Sequence, residues 1–304
     1  MRDGDRLLTG TAGTAAIFAF VALSWGGSFA AIAIGLEQLP PATFAGFRLL
    51  SGAAVVLPAI AVYYDEWVPR HRGDLLGVVV AAALVMGGSN GLLFAGQQYT
   101  TSALAAVLFA MNPLLVSLFA WLFITAEQVT RREAIGVVVG LVGVAITVNL
   151  SPSAIADSQV RGALLVFGGA TALSLGSAVT RSFETRLPNV VIVGWGMALG
   201  GGCLELAGAL RGEPFPTEFS LSLVTAVLYL GVISTAGAFS AYYELLDRVG
   251  AVRTALVSYT VPVVTVLVGW LYLQEDIALR TLLGFAVITA GFAISVADQV
   301  SLRR

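Results

Sequence analysis

The stretch DLLGVVVAAALVMGGSNGLLFAGQQYTTSALAAVLFAMNPLLVSLFAWLFITAE, from Asp74 to Glu127, holds 52 residues without a charge between its two acids. As one helix it would be about 78 Å long at 1.5 Å per residue, against a bilayer core of about 30 Å. It must therefore fold back once, and the polar run Gln97-Gln98-Tyr99-Thr100-Thr101-Ser102 marks the turn. The two arms are helices, because lipid cannot satisfy exposed backbone groups and the run lacks the alternation of barrel strands. Working outward, charges cut the rest of the chain into similar blocks. Thirty uncharged residues separate Arg6 from Glu37, and Pro41 to Tyr64 is interrupted only by Arg48. Further blocks run from Ala134 to Ala156, Gly162 to Thr180, Leu187 to Leu204, Phe219 to Tyr243, Thr254 to Gln274 and Leu282 to Ala297. The expectation is an all-α integral membrane protein with ten transmembrane helices, roughly 15–36, 42–64, 74–96, 101–124, 132–149, 161–182, 189–210, 220–244, 251–273 and 279–297. The first is too long and too polar-ended for a cleaved signal peptide, so it is expected to stay.

Composition agrees. Hydrophobic residues make up 58%, charged residues 11%, and mean hydropathy is +0.90. A soluble chain carries about 25% charge, enough to cover its outside. A net charge of −2 excludes nucleic acid as the main partner, since phosphate neutralisation needs basic excess. One cysteine, Cys203, and one histidine, His71, exclude a disulfide framework, a Cys-rich metal site and paired-His zinc chemistry, so no metal or cofactor is expected. No G-x-S-x-G, H-E-x-x-H or Walker pattern occurs, and Gly200-Gly201-Gly202 follows no strand, so it is no phosphate loop.

With the N-terminus inside and the spans alternating, the inside segments hold Arg2, Arg6, Arg70, Arg72, Arg131, Arg132, Arg181, Arg186, Arg248, Arg253, Arg303 and Arg304. The outside segments hold only Arg161, Arg211 and Arg280. That asymmetry places both termini in the cytoplasm of a multi-pass plasma-membrane protein. The two halves also resemble each other. Asn112-Pro113 to Trp121-Leu122 aligns with Val261-Pro262 to Trp270-Leu271 at an offset of 149, Ala22-Leu23-Ser24-Trp25-Gly26 with Ala172-Leu173-Ser174-Leu175-Gly176 at 150, and Gly136 and Gly143 with Gly284 and Gly291 at 148. The expected units are 1–150 and 151–304, each of five helices. Five is odd, so the second must enter the membrane inverted, the arrangement typical of secondary transporters.

The chain resembles, over essentially its full length, the EamA-like branch of the drug/metabolite transporter superfamily. The resemblance rests on Trp25-Gly26-Gly27-Ser28-Phe29, on Pro41 followed by Arg48, on Pro113 and Pro262 with the later acids Glu127 and Glu275, and on the segment from Arg248 to Pro262. Ala33 stands where many relatives carry lysine, and Ala126 and Gln274 where glycine usually precedes each acid. The resemblance implies a ten-helix carrier of small metabolites, often an exporter, with a central substrate cavity.

Residues at similar depth are the candidates for that cavity: Trp25, Ser28, Asn90, Asn112, Ser174, Trp195, Ser258 and Tyr259, with Ser177 and Ser234 beside them. Polar groups avoid lipid and point inward, but each serine can equally bond back to its own helix or pack against a neighbour. Pro113 and Pro262 each free the carbonyl four residues earlier, as hinges at the substrate site or as packing kinks. Charges cost most within a membrane. Arg48 snorkels, ties to Glu37, gates the outer mouth or contacts an anionic substrate. Glu205 and Glu244 are candidates for proton coupling, Glu244 with Arg248 at i+4 as a competing partner. Glu127 and Glu275 are expected to cap helix ends or to pair within loops. The glycine pairs at 136/140 and 196/200 are packing devices, and His71 with its arginines serves orientation.

The function expected is secondary transport, by alternating access around a midplane cavity, of a small polar or amphipathic metabolite such as an amino acid. The partners are that substrate and the bilayer; monomer and homodimer stay open. The alternatives are an integral membrane enzyme acting on a lipid or isoprenoid, which would need clustered acids or a His-rich inner face, and a channel, which would show a charged ring or filter.

Overall fold

The computed structural model describes residues 11–124, 130–149 and 157–301. Glu127, Ala126, Arg2, Arg6, Arg303, Arg304 and the boundary between the two expected units lie outside the described residues, and so do the two termini. The described chain folds into α1 (Thr11–Leu36), α2 (Pro41–Tyr63), α3 (Arg72–Gln97), α4 (Ser102–Phe123), α5 (Arg131–Val148), α6 (Ser158–Ser182), α7 (Asn189–Leu210), α8 (Leu221–Val249), α9 (Ala251–Tyr272) and α10 (Leu279–Ser301). Among the described residues, nine of these are long and apolar enough to cross a membrane. The remaining one, α5, has 18 residues and opens on Arg131, Arg132 and Glu133.

Local chemistry sets the helix starts. Thr101, Asp157 and Ser220 cap α4, α6 and α8 through side-chain oxygens, and Thr130 and Glu133 form a capping box on α5. Three helices are irregular inside. Helix α3 widens into a π-helical turn at Ala81–Gly88, and α8 does the same at Tyr229–Gly237, 148 residues later. Helix α4 breaks at Ala110–Met111, just ahead of Pro113. Pro262, by contrast, lies inside an unbroken α9. The two prolines were expected to act alike, and they do not. Pro113 falls in the first turn of its helical piece, where its missing N–H costs nothing. Around Pro262, the Thr265 hydroxyl reaches the carbonyls of Val261 (3.0 Å) and Gly26 (2.9 Å), holding α9 against α1.

Small residues bring the helices together. A Cβ on Gly136 would lie 2.5 Å from the Gly291 carbonyl oxygen, and one on Gly291 would lie 2.6 Å from that of Gly136. Gly143 and Gly284 meet in the same reciprocal way, at 2.8 and 2.7 Å, so α5 and α10 run antiparallel. Helices α2 and α7 are antiparallel too: Gly46 faces Glu205, and Gly194 faces Leu57 and Ile60. The other main pairs are α7 with α3, α1 with α9 and α8, and α6 with α3 and α4. The largest core cluster, with Phe44, Phe94, Leu108, Met111, Leu114 and Leu230, lies between them.

Polar groups sit at the two ends of the bundle. At one end Glu213 Oε2 accepts from the Thr43 amide and hydroxyl (both 2.9 Å), Glu275 accepts from the amides of Ser102 (2.9 Å) and Ala103 (3.3 Å), and Arg280 donates to Gln159. Glu275 thus caps α4, as expected of it. At the other end Asp74, only 1% exposed, accepts from the amides of Arg186 (2.8 Å) and Leu187 (3.1 Å), and His71 bonds the Arg186 guanidinium.

Candidate substrate site

The π-helical turn of α8 organises the most polar part of the interior. Such a turn replaces i−4 bonds by i−5 ones, and the Thr235 hydroxyl follows suit by donating to Leu230 O at 2.6 Å. Next to it, Ser234 O accepts from Trp25 Nε1 at 3.0 Å, and the Ser234 hydroxyl pairs with that of Ser28. Ser28 also donates to Ser24 O at 2.8 Å. The Trp25 indole leans on Phe239 and Tyr242, with centroids 5.3 and 5.2 Å away.

This explains Trp25-Gly26-Gly27-Ser28-Phe29 residue by residue. A Cβ on Gly26 would sit 2.5 Å from Val264 of α9, and one on Gly27 would sit 2.5 Å from the Tyr229 hydroxyl, which donates to Ser24 O at 2.9 Å. Phe29 meets Phe109 of α4 edge-on, and its carbonyl accepts from Gln97 (2.5 Å) and Ser102 (3.1 Å). The motif is the seam joining α1 to α4, α8 and α9.

Beside this seam stands Arg48. Its Nη1 donates to Asn90 Oδ1, its Nη2 lies 3.5 Å from Thr235 Oγ1, and the guanidinium is 5.8 Å from the centre of the Phe94 ring. Asn90 is oriented by a 2.8 Å bond from Nδ2 to Met86 O, at the end of the α3 π-turn. Arg48 Nε is buried without a hydrogen-bond partner, and among the described residues no carboxylate lies within ion-pair distance of the guanidinium. An arginine at the centre of a membrane helix costs about 2.5–3.5 kcal/mol on insertion scales. Glu37 does not offset that cost here.

Three of the anticipated residues, Trp25, Ser28 and Arg48, thus converge on α8, and Asn90 joins them through Arg48. Asn112 and Ser174 pair with each other between α4 and α6, at 2.6 Å, and Ser174 also back-bonds to Ala170 O. Ser258 is half-buried on α9. Tyr259 stacks on Phe292 of α10 at 4.4 Å, its hydroxyl without a partner. Trp195 lies apart from the cluster: it stacks on Trp67 and donates to the Trp67 carbonyl at 2.9 Å, tying α7 to the loop before α3. Glu205 presses against Gly46 of α2 with Oε1 buried and unbonded, and Glu244 pairs with Arg248. Thr235, Phe94, Phe239 and Tyr242 contact these groups and were passed over in the sequence reading. A threonine or phenylalanine in an apolar helix gives no signal of its own, and Arg48 was the cue to look for its neighbours.

The central groups are packed together. Two open depressions flank the bundle: one of about 300 Å³ lies between α1 and α8 at Ala31, Ile34, Ser222 and Tyr229, reaching the seam through Tyr229, and the other, of about 280 Å³, lies at Gln38–Pro40 and Pro214–Glu218.

The described helices thus form an apolar bundle with a cation and a polar seam inside it. The EamA-like transporter family pattern matches residues 13–149 and again 160–297, so the chain belongs to that family, within the drug/metabolite transporter superfamily. It is 26% identical over 271 residues to the uncharacterized transporter YoaV of Bacillus subtilis, covering 89% of this chain and 92% of that one. It is 29% identical over 255 residues to the uncharacterized inner membrane transporter YedA of Escherichia coli, with 84% and 80% covered. A chloroplastic WAT1-related protein of Arabidopsis thaliana is 24% identical, with 86% of this chain and 64% of that one covered. A solved crystal structure matches the fold with a TM-score of 0.66 at 21% identity, covering 95% of this chain and 99% of the other.

Proposed function

We propose that the protein is a secondary carrier of a small amphipathic metabolite, of the size and polarity of an amino acid, working by alternating access in the plasma membrane. The observation that carries this reading is the placing of Arg48, Asn90, Thr235, Trp25, Ser28 and Ser234 in one buried polar set. That set is built by α1, α2 and α3 from one half and α8 from the other. Relative movement of the halves must therefore take it apart and re-form it, which is what a carrier needs of its substrate site.

The ten-span, inverted-repeat topology belongs to the same proposal. It is supported by the reciprocal Gly136–Gly291 and Gly284–Gly143 contacts, because a pseudo-two-fold turns one pair into the other. The twin π-turns and the repeated family match point the same way. Orientation follows from Arg70, Arg72, Arg131, Arg132, Arg181, Arg186, Arg248 and Arg253 flanking helix ends on the Asp74 side, against Arg161, Arg211 and Arg280 on the other. The cytoplasm is on the Asp74 side. Labelling of single cysteines near Tyr99 and near Val249 should then report opposite faces; a common face ends the inverted reading. Export is the direction suggested by the family resemblance, and its test is substrate entry into inside-out vesicles. Proteoliposome flux tests the carrier reading against its rivals: a carrier saturates and shows counterflow, a channel conducts without counterflow, and a membrane enzyme converts its ligand.

A further inference from the structure

We infer that Arg48 is the anchor for an anionic group on the substrate, and that the site takes a small monocarboxylate with an apolar or aromatic body. The inference rests on the carrier reading and narrows it to a substrate class.

The first argument is the repeat itself. At the offset of 148 that separates the two π-turns, Arg48 corresponds to Gly196, Asn90 to Ala238, and Thr235 to Gly87. The corresponding region in the other half is closed by packing alone. Gly196 lies against Ala81 and Ala82, and Gly87 lies against Ala82 O and Gly200. The scaffold is thus closed on one side without any polar side chain at these three positions. A cation held by an amide and a hydroxyl on the other side is an addition to the fold, retained at a cost in membrane stability.

The second argument is what the guanidinium has left to offer. Of its five N–H donors, Nη1 and Nη2 each give one toward a neutral oxygen, and Nε gives none. Nε with Nη2 forms a planar two-donor edge suited to a carboxylate. No carboxylate of the described residues lies within ion-pair distance, which leaves room for a counter-charge brought by a substrate. Among the described residues no second cation bonds the same partners, and one arginine fits a monoanion better than a phosphate ester. The neighbours fit the rest of such a molecule: Phe94 under the guanidinium, and Trp25, Phe239 and Tyr242 across the Ser234–Thr235 step. Among the described residues no acidic group bonds into this set to receive an ammonium, so simple acids should serve as well as amino acids.

The test uses the full chain, purified and reconstituted, with benzoate, octanoate, leucine and phenylalanine as probes, each beside its neutral or cationic amide. Counterflow of at least one acid should saturate while its amide moves no faster than in protein-free vesicles. Arg48→Gln should reduce the acid-to-amide ratio about tenfold or more, the loss expected when charge-assisted bonds go, and Arg48→Lys should retain part of it. A merely structural arginine would lower acid and amide together and leave the ratio unchanged, which overturns the inference. So does wild-type protein that moves amides as well as acids. In parallel, the same probes are scored by thermal stabilisation of the detergent-purified wild type and Arg48→Gln. Acid-specific stabilisation that Arg48→Gln abolishes, without any flux, would uphold the anion site and sink the carrier reading. Neither stabilisation nor flux with any acid overturns the anion site itself.

Discussion

Helices α3 and α8 carry the same backbone device and use it for different ends. In the α3 π-turn, Cβ atoms on Gly87 and Gly88 would come within 2.6 Å of the carbonyl oxygens of Ala82 and Ala83. The widened turn there closes on its own backbone and on Gly200 of α7. In the α8 π-turn the corresponding positions are Thr235 and Ala236, which carry side chains, and Ser234 and Thr235 turn polar groups toward α1 and α2. One copy is therefore closed by packing, and the other presents polar groups. Duplication supplies a redundant backbone, and side chains can then diverge on the copy that the fold does not need to close.

The comparison breaks most sharply when a glycine of each turn is changed to alanine, although the two glycines are one register apart. Gly88→Ala forces a Cβ into a backbone oxygen and should cost about 1–3 kcal/mol, read as a lowered melting temperature and poor monodispersity in detergent. Gly237→Ala, at ordinary contact distance, should leave the melting temperature within the error of the wild type. Equal losses at both positions would mean that the two turns are not differentiated as described.

A smaller effect is expected where the α8 turn meets α1. Trp25→Phe keeps an aromatic surface against Phe239 and Tyr242 but removes the donor to Ser234 O. One hydrogen bond is worth about 1 kcal/mol, so apparent substrate affinity in counterflow should weaken about fivefold with little change in folding. If Trp25→Phe transports with wild-type affinity, the α8 turn is a structural joint only.

Much of the fold was open to reading in the sequence, because the bilayer admits so few solutions. Fifty-two uncharged residues after Asp74 had to fold back, and α3 and α4 end and begin within a residue or two of the expected turn. Helix interiors were less legible. Neither π-turn leaves a trace in hydropathy, since widening one turn does not alter which residues are apolar. The unequal behaviour of Pro113 and Pro262 was likewise hidden, since it depends on what packs around each proline. Of the site, Arg48, Asn90, Trp25 and Ser28 could be found because polar groups are conspicuous in lipid-facing sequence. Trp195 was conspicuous for the same reason, yet it serves the Trp67 loop. Depth along a helix is readable; the direction in which a side chain faces, and its partner, depend on a tertiary arrangement that no local pattern encodes.

Glu205 separates binding from coupling. Its Oε1 is buried against Gly46 on the antiparallel α2–α7 pair and has no partner, whereas Glu213, one loop further on, is engaged with Thr43 at the head of α2. If Glu205 carries the proton, Glu205→Gln should abolish stimulation of uptake by an imposed pH gradient and leave counterflow at zero gradient within about twofold, because exchange needs no net proton movement. Gradient dependence that survives in Glu205→Gln removes it from the mechanism.

The smallest effect is expected at Tyr259. It was anticipated in the substrate site, and Tyr259→Phe would there weaken binding by the worth of a hydrogen bond. The structure instead lays its ring on Phe292 between α9 and α10 and leaves the hydroxyl buried with no partner. Removing a polar atom that makes no bond relieves a desolvation cost and leaves the stacked rings in place. Tyr259→Phe should therefore hold substrate affinity at the wild-type value and keep or slightly raise the melting temperature. Weakened counterflow affinity with an unchanged melting temperature would return Tyr259 to the substrate path, and with it α9 would join α8 as a lining helix of the second half.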